Sequence, residues 1–192
     1  LSCQSNIFHR MNSLGFNLDK TSPVARRILE KIKRLENEGY FYEAADASLE
    51  LLIRKELGEY KPFFDFVAYR VLVDQHSSGD LWSEATVRLK IDNEMYFMAG
   101  EGDGPVNALD VALRKALEQK YPQLQHMQLR DFKVRIIDTG TGTAAKTRVL
   151  IESSDSEHEW ITIGVSENII EASWEALVDS IEYKLILDEC HQ

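Results

Sequence analysis

Two stretches of this 192-residue chain repeat one another at an offset of sixty-four positions. In the first, Gly100-Glu-Gly-Asp-Gly104 is followed by Ala108, Ala112, Leu113 and Leu117. In the second, Gly164-Val-Ser-Glu-Asn168 is followed by Ala172, Ala176, Leu177 and Ile181. The apolar residues recur at three- and four-residue spacing, so each corner feeds an amphipathic helix. An internal repeat narrows the choice of fold, because each half must build the same unit and bury its apolar face against a neighbour.

Before each corner the pattern alternates. Phe63 to Asp74 is rich in aromatic and β-branched residues, and Gln75 to Asp80 reads as a turn. Ala85, Val87, Leu89 and Ile91 then alternate with Thr86, Arg88 and Lys90, and Asp92-Asn93 turns the chain into Glu94 to Ala99. The pattern returns in Gln128 to Ile137, Ala145 to Ile151 and Trp160 to Val165, with a closing helix from about residue 168 to 185. The order is βββα twice. Short turns predict antiparallel meanders, and a helix over one face of each sheet predicts an α+β layer arrangement.

Upstream of Lys61-Pro62 the periodicity is helical. Residues 1 to about 20 suggest a short helix and a loop. Thr21-Ser22-Pro23 supplies a capping hydroxyl and a proline at the first helical position, and Val24, Ile28, Ile32 and Leu35 draw one stripe before Gly39 stops it. A second helix, from about Glu43, carries Ala45, Leu49, Leu52 and Ile53 and closes at Gly58. The expected division is a helical subdomain over 1–60 and a βββα pair over 61–192.

Composition excludes several function classes. A net charge of −10 repels phosphate backbones and anionic membrane surfaces, so neither nucleic acid nor a membrane is an expected partner. The basic residues Arg26, Arg27 and Lys31 to Arg34 share their helix with Glu30, Glu36 and Glu38, which makes a solvated face. Cys3 and Cys190 near opposite ends are no disulfide framework, and no apolar run approaches the ~20 residues that span a bilayer. A soluble cytoplasmic protein is expected. Leu1-Ser-Cys-Gln-Ser-Asn-Ile7, with no initial methionine, reads like the interior of a longer protein.

The usual catalytic constellations are missing from the sequence pattern. His9, His76, His126, His158 and His191 are dispersed, without ligand spacing. Ser166 and Ser173 lack a nucleophile elbow, and the glycine corner lacks the lysine and hydroxyl of a phosphate loop. Glu101 and Asp103 would repel a phosphate. What suits the corner is a small zwitterion: its carboxylate meets the free amides at the helix start, and its ammonium meets Asp103, Asp110 or Glu167. Leu129, Phe132 and Ile136, on the strand after the first helix, are either pocket wall or plain core.

Four segments together resemble the C-terminal regulatory region of the 2-isopropylmalate synthase family, on its citramalate synthase branch. They are Glu101-Gly-Asp-Gly-Pro-Val-Asn-Ala-Leu-Asp110, Asp131-Phe-Lys-Val-Arg-Ile136, Gly142-Thr-Ala-Ala-Lys146 with Val149-Leu-Ile-Glu-Ser153, and Gly164-Val-Ser-Glu-Asn-Ile-Ile-Glu-Ala-Ser-Trp174. The likeness extends upstream through Leu1 to Ile7, Glu36 to Tyr40 and Glu43 to Ala47. It implies a homodimeric regulatory domain that binds the end-product amino acid, joined by residues 1–60 to a catalytic barrel absent from this sequence. That barrel would condense acetyl-CoA with pyruvate, with a divalent metal bound there; no cofactor is expected here.

The effector contacts the resemblance implies are Gly102, Asp103, Gly104, Pro105, Val106, Asn107, Ala108, Leu109 and Asp110, then Leu129, Phe132 and Ile136. The second corner adds Thr143, Thr147, Glu167, Asn168 and Ile169. Phe132 stands where the family pattern has tyrosine, which removes a hydroxyl from that wall. The citramalate branch implies isoleucine as effector and the isopropylmalate branch leucine; a dimerisation module without an effector is the third reading. An apolar pocket separates such isomers by only ~1–3 kcal/mol.

Overall fold

The computed structural model describes residues 2–137 and 145–190. After a first helix, α1 (Ser2–Ser13), the Ser22 side chain accepts from the Ala25 amide at 3.2 Å and Pro23 opens α2 (Pro23–Glu38). Gly39 ends α2 in the left-handed region at φ 118°, and Gly58 does the same for α3 (Asp46–Leu57) at φ 73°. A tight turn over Tyr42–Ala44 precedes α3, which therefore starts later than its periodicity predicts; Ala45, at φ −137°, is not helical.

The two repeats follow as expected. β1 (Asp65–Gln75), β2 (Leu81–Ile91) and β3 (Glu94–Gly102) form one antiparallel sheet with β2 central, and α4 (Pro105–Leu117) covers it. β4 (Gln128–Ile136), β5 (Thr147–Ser154) and β6 (Glu159–Ser166) form the second, with β5 central and α5 (Ile169–Cys190) covering it. The correspondence reaches single residues. The first strand of each unit shifts register at the same place, between Phe66 and Ala68 in β1 and between Leu129 and Asp131 in β4. In consequence the ladder row Val73–Ser83–Gly102 matches the row Ile136–Thr147–Ser166.

Alternation in β2 buries Ser83, Ala85, Val87, Leu89 and Ile91 toward α4, whose own stripe of Leu109, Leu113 and Leu117 is fully buried. Each such leucine contributes roughly 1.5–3 kcal/mol. Gly100 lets α4 lie this close, since a Cβ there would stand 2.6 Å from the Ala112 amide nitrogen. The two halves share one core, and Trp174 of α5 joins them with its ring 5.1 Å from those of Phe66 and Tyr69 on β1. Between β5, β6 and α5, Thr162 donates to the Ala176 carbonyl at 2.7 Å and the Trp160 indole to the Ser180 carbonyl at 3.1 Å.

The helical arm has its own core of Ile7, Met11, Ile28, Ile32, Leu49 and Ile53, into which Ile163 of β6 inserts. The first sheet turns its second face to solvent. Leu72, Trp82, Met95 and Phe97 are all exposed there, around a groove of about 280 Å³ lined by Arg70, Thr86 and Arg88.

Candidate functional site

β3 runs through Gly102, so only Asp103 and Gly104 turn the chain into α4. Gly104 is extended (φ −159°, ψ 170°), Pro105 takes the first helical position, and no side chain caps the helix. The opening amides of a helix have no acceptor within it, so those of Val106 and Asn107 face the corner. The Asn107 side chain is turned back to accept from the Asp103 amide at 3.2 Å. A Cβ at Gly104 would meet nothing within 4 Å, so the corner is open on that side.

The second corner is closed by its own side chains. Asn168, which repeats Gly104, accepts from the Ile170 amide at 2.8 Å and the Glu171 amide at 3.4 Å. Ser166, which repeats Gly102, accepts from the Asn168 amide at 3.0 Å and donates to the Glu171 carboxylate. Asn168 satisfies at α5 the two amides that correspond to the uncapped Val106 and Asn107 at α4, and Ser166 closes the turn that leads into it.

The sequence-predicted residues divide accordingly. Gly102 to Asn107 form the open corner, but Ala108 and Leu109 have no exposed surface and face the core. Asp110 does not offer its carboxylate to solvent: both oxygens accept from Arg114 Nε at 3.0 Å. Arg114 in turn donates to the Met127 carbonyl at 2.8 Å and so ties α4 to the start of β4. Burial raises the Asp110 carboxyl above its usual range, with Arg114 opposing that shift. Asp103 is the exposed carboxylate of this corner.

On the second sheet, Ile136 pairs with Thr147, and Thr147 with Ser166, which brings Ile136 and Thr147 beside Glu167, Asn168 and Ile169. Ile136 is 60% exposed although its register sets it in the row that α5 covers elsewhere. Leu129 and Phe132 are partly buried against the shared core. Thr143 lies outside the described residues. Sequence reasoning passed over Ser83, which is buried in the row of Gly102, and Val73 beside it, 51% exposed. Ser83 stands sixty-four positions before Thr147, so the repeat held the signal.

The arm meets α5 through polar groups. The Tyr40 hydroxyl bonds Glu175, Ser48 donates to Asp179 at 2.7 Å, and the Tyr60 hydroxyl bonds Glu182. Lys55 stands 3.5 Å from Glu182 and 3.9 Å from Asp179. Among the described residues no cluster of three or more His, Cys, Asp or Glu is placed to hold a metal ion, and no helix is long and apolar enough to cross a membrane.

The model of the LeuA allosteric (dimerisation) domain matches residues 43–185. The chain is 54% identical over 190 residues to the (R)-citramalate synthase of Aquifex aeolicus (strain VF5), covering 98% of this chain and 36% of that protein. It is 49% identical over 186 residues to the (R)-citramalate synthase of Geobacter sulfurreducens, covering 96% of this chain and 35% of that protein. To the 2-isopropylmalate synthase of Aquifex aeolicus it is 30% identical over 181 residues, covering 94% and 32%. The chain thus spans about a third of the length of the curated relatives it matches.

Proposed function

The chain belongs to the LeuA allosteric (dimerisation) domain family, and on that footing we propose that it is the regulatory domain of an (R)-citramalate synthase, a homodimer that binds isoleucine for feedback inhibition. The parent assignment is supported by the gap in identity between the two kinds of relative, 54% and 49% against 30%. In this reading the whole enzyme condenses acetyl-CoA with pyruvate in a barrel outside this sequence, and residues 1–60 join that barrel to the effector domain.

The observation that carries the effector site is the open corner at α4, set against its capped twin at α5. The ligand carboxylate takes the Val106 and Asn107 amides, where the helix dipole favours an anion. Its ammonium pairs with Asp103. Leu129, Phe132 and Ile136 are the candidates for the apolar wall, with Thr147, Glu167, Asn168 and Ile169 bordering the second corner.

Dimerisation is assigned to the outer face of the first sheet, because Leu72, Trp82, Met95 and Phe97 form an apolar area that a second copy would cover. Inhibition requires that isoleucine bind one arrangement of the dimer better than another. The path to the barrel is α5: its N-terminus lies at the second corner, and Glu175, Asp179 and Glu182 on one stripe hold the arm. Titration of the chain with branched-chain amino acids tests this function.

A further inference from the structure

We propose that Ser83 is a direct polar contact of the effector, its hydroxyl donating to the ligand carboxylate beside the first amides of α4; this rests on the amino-acid-binding reading above. Ser83 is only 2% exposed, and among the described residues its Oγ and Asp188 Oδ2 are the two buried side-chain polar atoms without a hydrogen-bond partner. Buried hydroxyls are ordinarily paired, since leaving one unpaired is costly. The neighbouring inward positions of β2 are Ala85, Val87, Leu89 and Ile91, so packing alone calls for an apolar residue at this place.

Its location gives the hydroxyl a role. Ser83 pairs with Gly102, and a Cβ at Gly102 would stand 2.4 Å from Asn107 Oδ1 and 2.5 Å from the Ala108 nitrogen. This row therefore runs directly beneath the first turn of α4, on the side Ser83 faces. Ser83 is thus the strand neighbour of the glycine on which the uncapped turn of α4 rests, and in this proposal its hydroxyl and the α4 amides serve as donors for one anion. In the second unit the equivalent corner is filled by Ser166 and Asn168, whose side chains accept the local amides. The first unit therefore binds while the second closes on itself.

The test is calorimetric titration of the chain and of its Ser83→Ala variant with isoleucine, leucine and isoleucinamide, together with thermal unfolding of both proteins without ligand. The expected result is a tenfold or greater loss of affinity for the amino acid, of the order lost with a hydrogen bond to a charged group. Isoleucinamide, which has no carboxylate, should lose far less, and the ligand-free variant should be as stable as the parent or more so. Unchanged affinity for the amino acid would overturn the proposal. So would a loss of affinity accompanied by a loss of ligand-free stability, which marks a structural serine. If the unmodified chain binds neither isoleucine nor leucine, the amino-acid-binding reading itself fails and takes this contact with it.

Discussion

Gly164 lies against the backbone of Ala172 so closely that a Cβ on the glycine would stand 1.9 Å from the Ala172 carbonyl oxygen. Its counterpart Gly100 would put a Cβ 2.9 Å from the carbonyl oxygen of Ala108, sixty-four positions earlier. The obstacle at Gly164 is helix backbone, which cannot rotate away. Gly164→Ala should therefore push α5 off β6 and destabilise the chain by about 2 kcal/mol or more, measured by denaturant unfolding. A variant as stable as the parent would contradict this packing.

Gly104 is the opposite case, with open space around its missing Cβ and an extended backbone that any residue adopts. Aspartate is better than glycine as a helix N-cap by roughly a few tenths of a kcal/mol, so stability without ligand should stay close to the parent's. The same carboxylate would sit where the ligand carboxylate is proposed to bind, so Gly104→Asp should keep the fold and lose effector affinity at least tenfold. Retained binding in titration would count against the α4 corner.

These glycines also mark how much was legible in the sequence. The repeat could be read because its causes are local: close approach at Gly100 and Gly164, alternation in β2 and β5, and helical stripes behind each corner. Which residues share a row follows only from the register shifts of β1 at Phe66/Ala68 and of β4 at Leu129/Asp131. Asp110 reads as a candidate ligand until Arg114, one helical turn on, is seen to hold both its oxygens. The meeting of Ser48 with Asp179, or Tyr40 with Glu175, joins residues more than a hundred positions apart. Helical periodicity assigns such residues to a face but not to a partner.

The arm contact carries a pH dependence of definite sign. Burial pushes the Asp179 carboxyl up to about 7; Lys55 and the Ser48 hydroxyl draw it down, while Glu182 and Glu175 raise it. Glu175, bonded to Tyr40, is shifted upward as well, again chiefly by burial. A carboxyl that holds its proton more tightly folded than unfolded contributes stability fully present below about pH 4, lost as the pH rises through 7. Thermal stability should fall between about pH 4 and 7, and Asp179→Asn should flatten that slope and raise stability at pH 8. A slope unchanged by the substitution would remove Asp179 as its source.

Phe97 and Trp82 test the proposed dimer face. Both are more than half exposed on the outer side of the first sheet, and Phe97 lies under the Arg88 guanidinium at 4.9 Å. A charge there costs the isolated chain little, because the side chain already meets water, but it would be buried against a second copy. Phe97→Asp should therefore give a monomer by light scattering with an unaltered circular dichroism spectrum. A dimer of undiminished affinity would move the interface elsewhere.

Binding of a branched-chain amino acid, with isoleucine preferred, separates an effector domain from a bare dimerisation module. Calorimetric titration with isoleucine, leucine and valine in turn, with mass followed by light scattering, decides between the two. The expected result is saturable binding of isoleucine by a dimer, with leucine and valine weaker. A preference for leucine would transfer the parent enzyme to the isopropylmalate branch. Silence from all three at millimolar concentration would rule out the effector site and leave a dimerisation module without an effector.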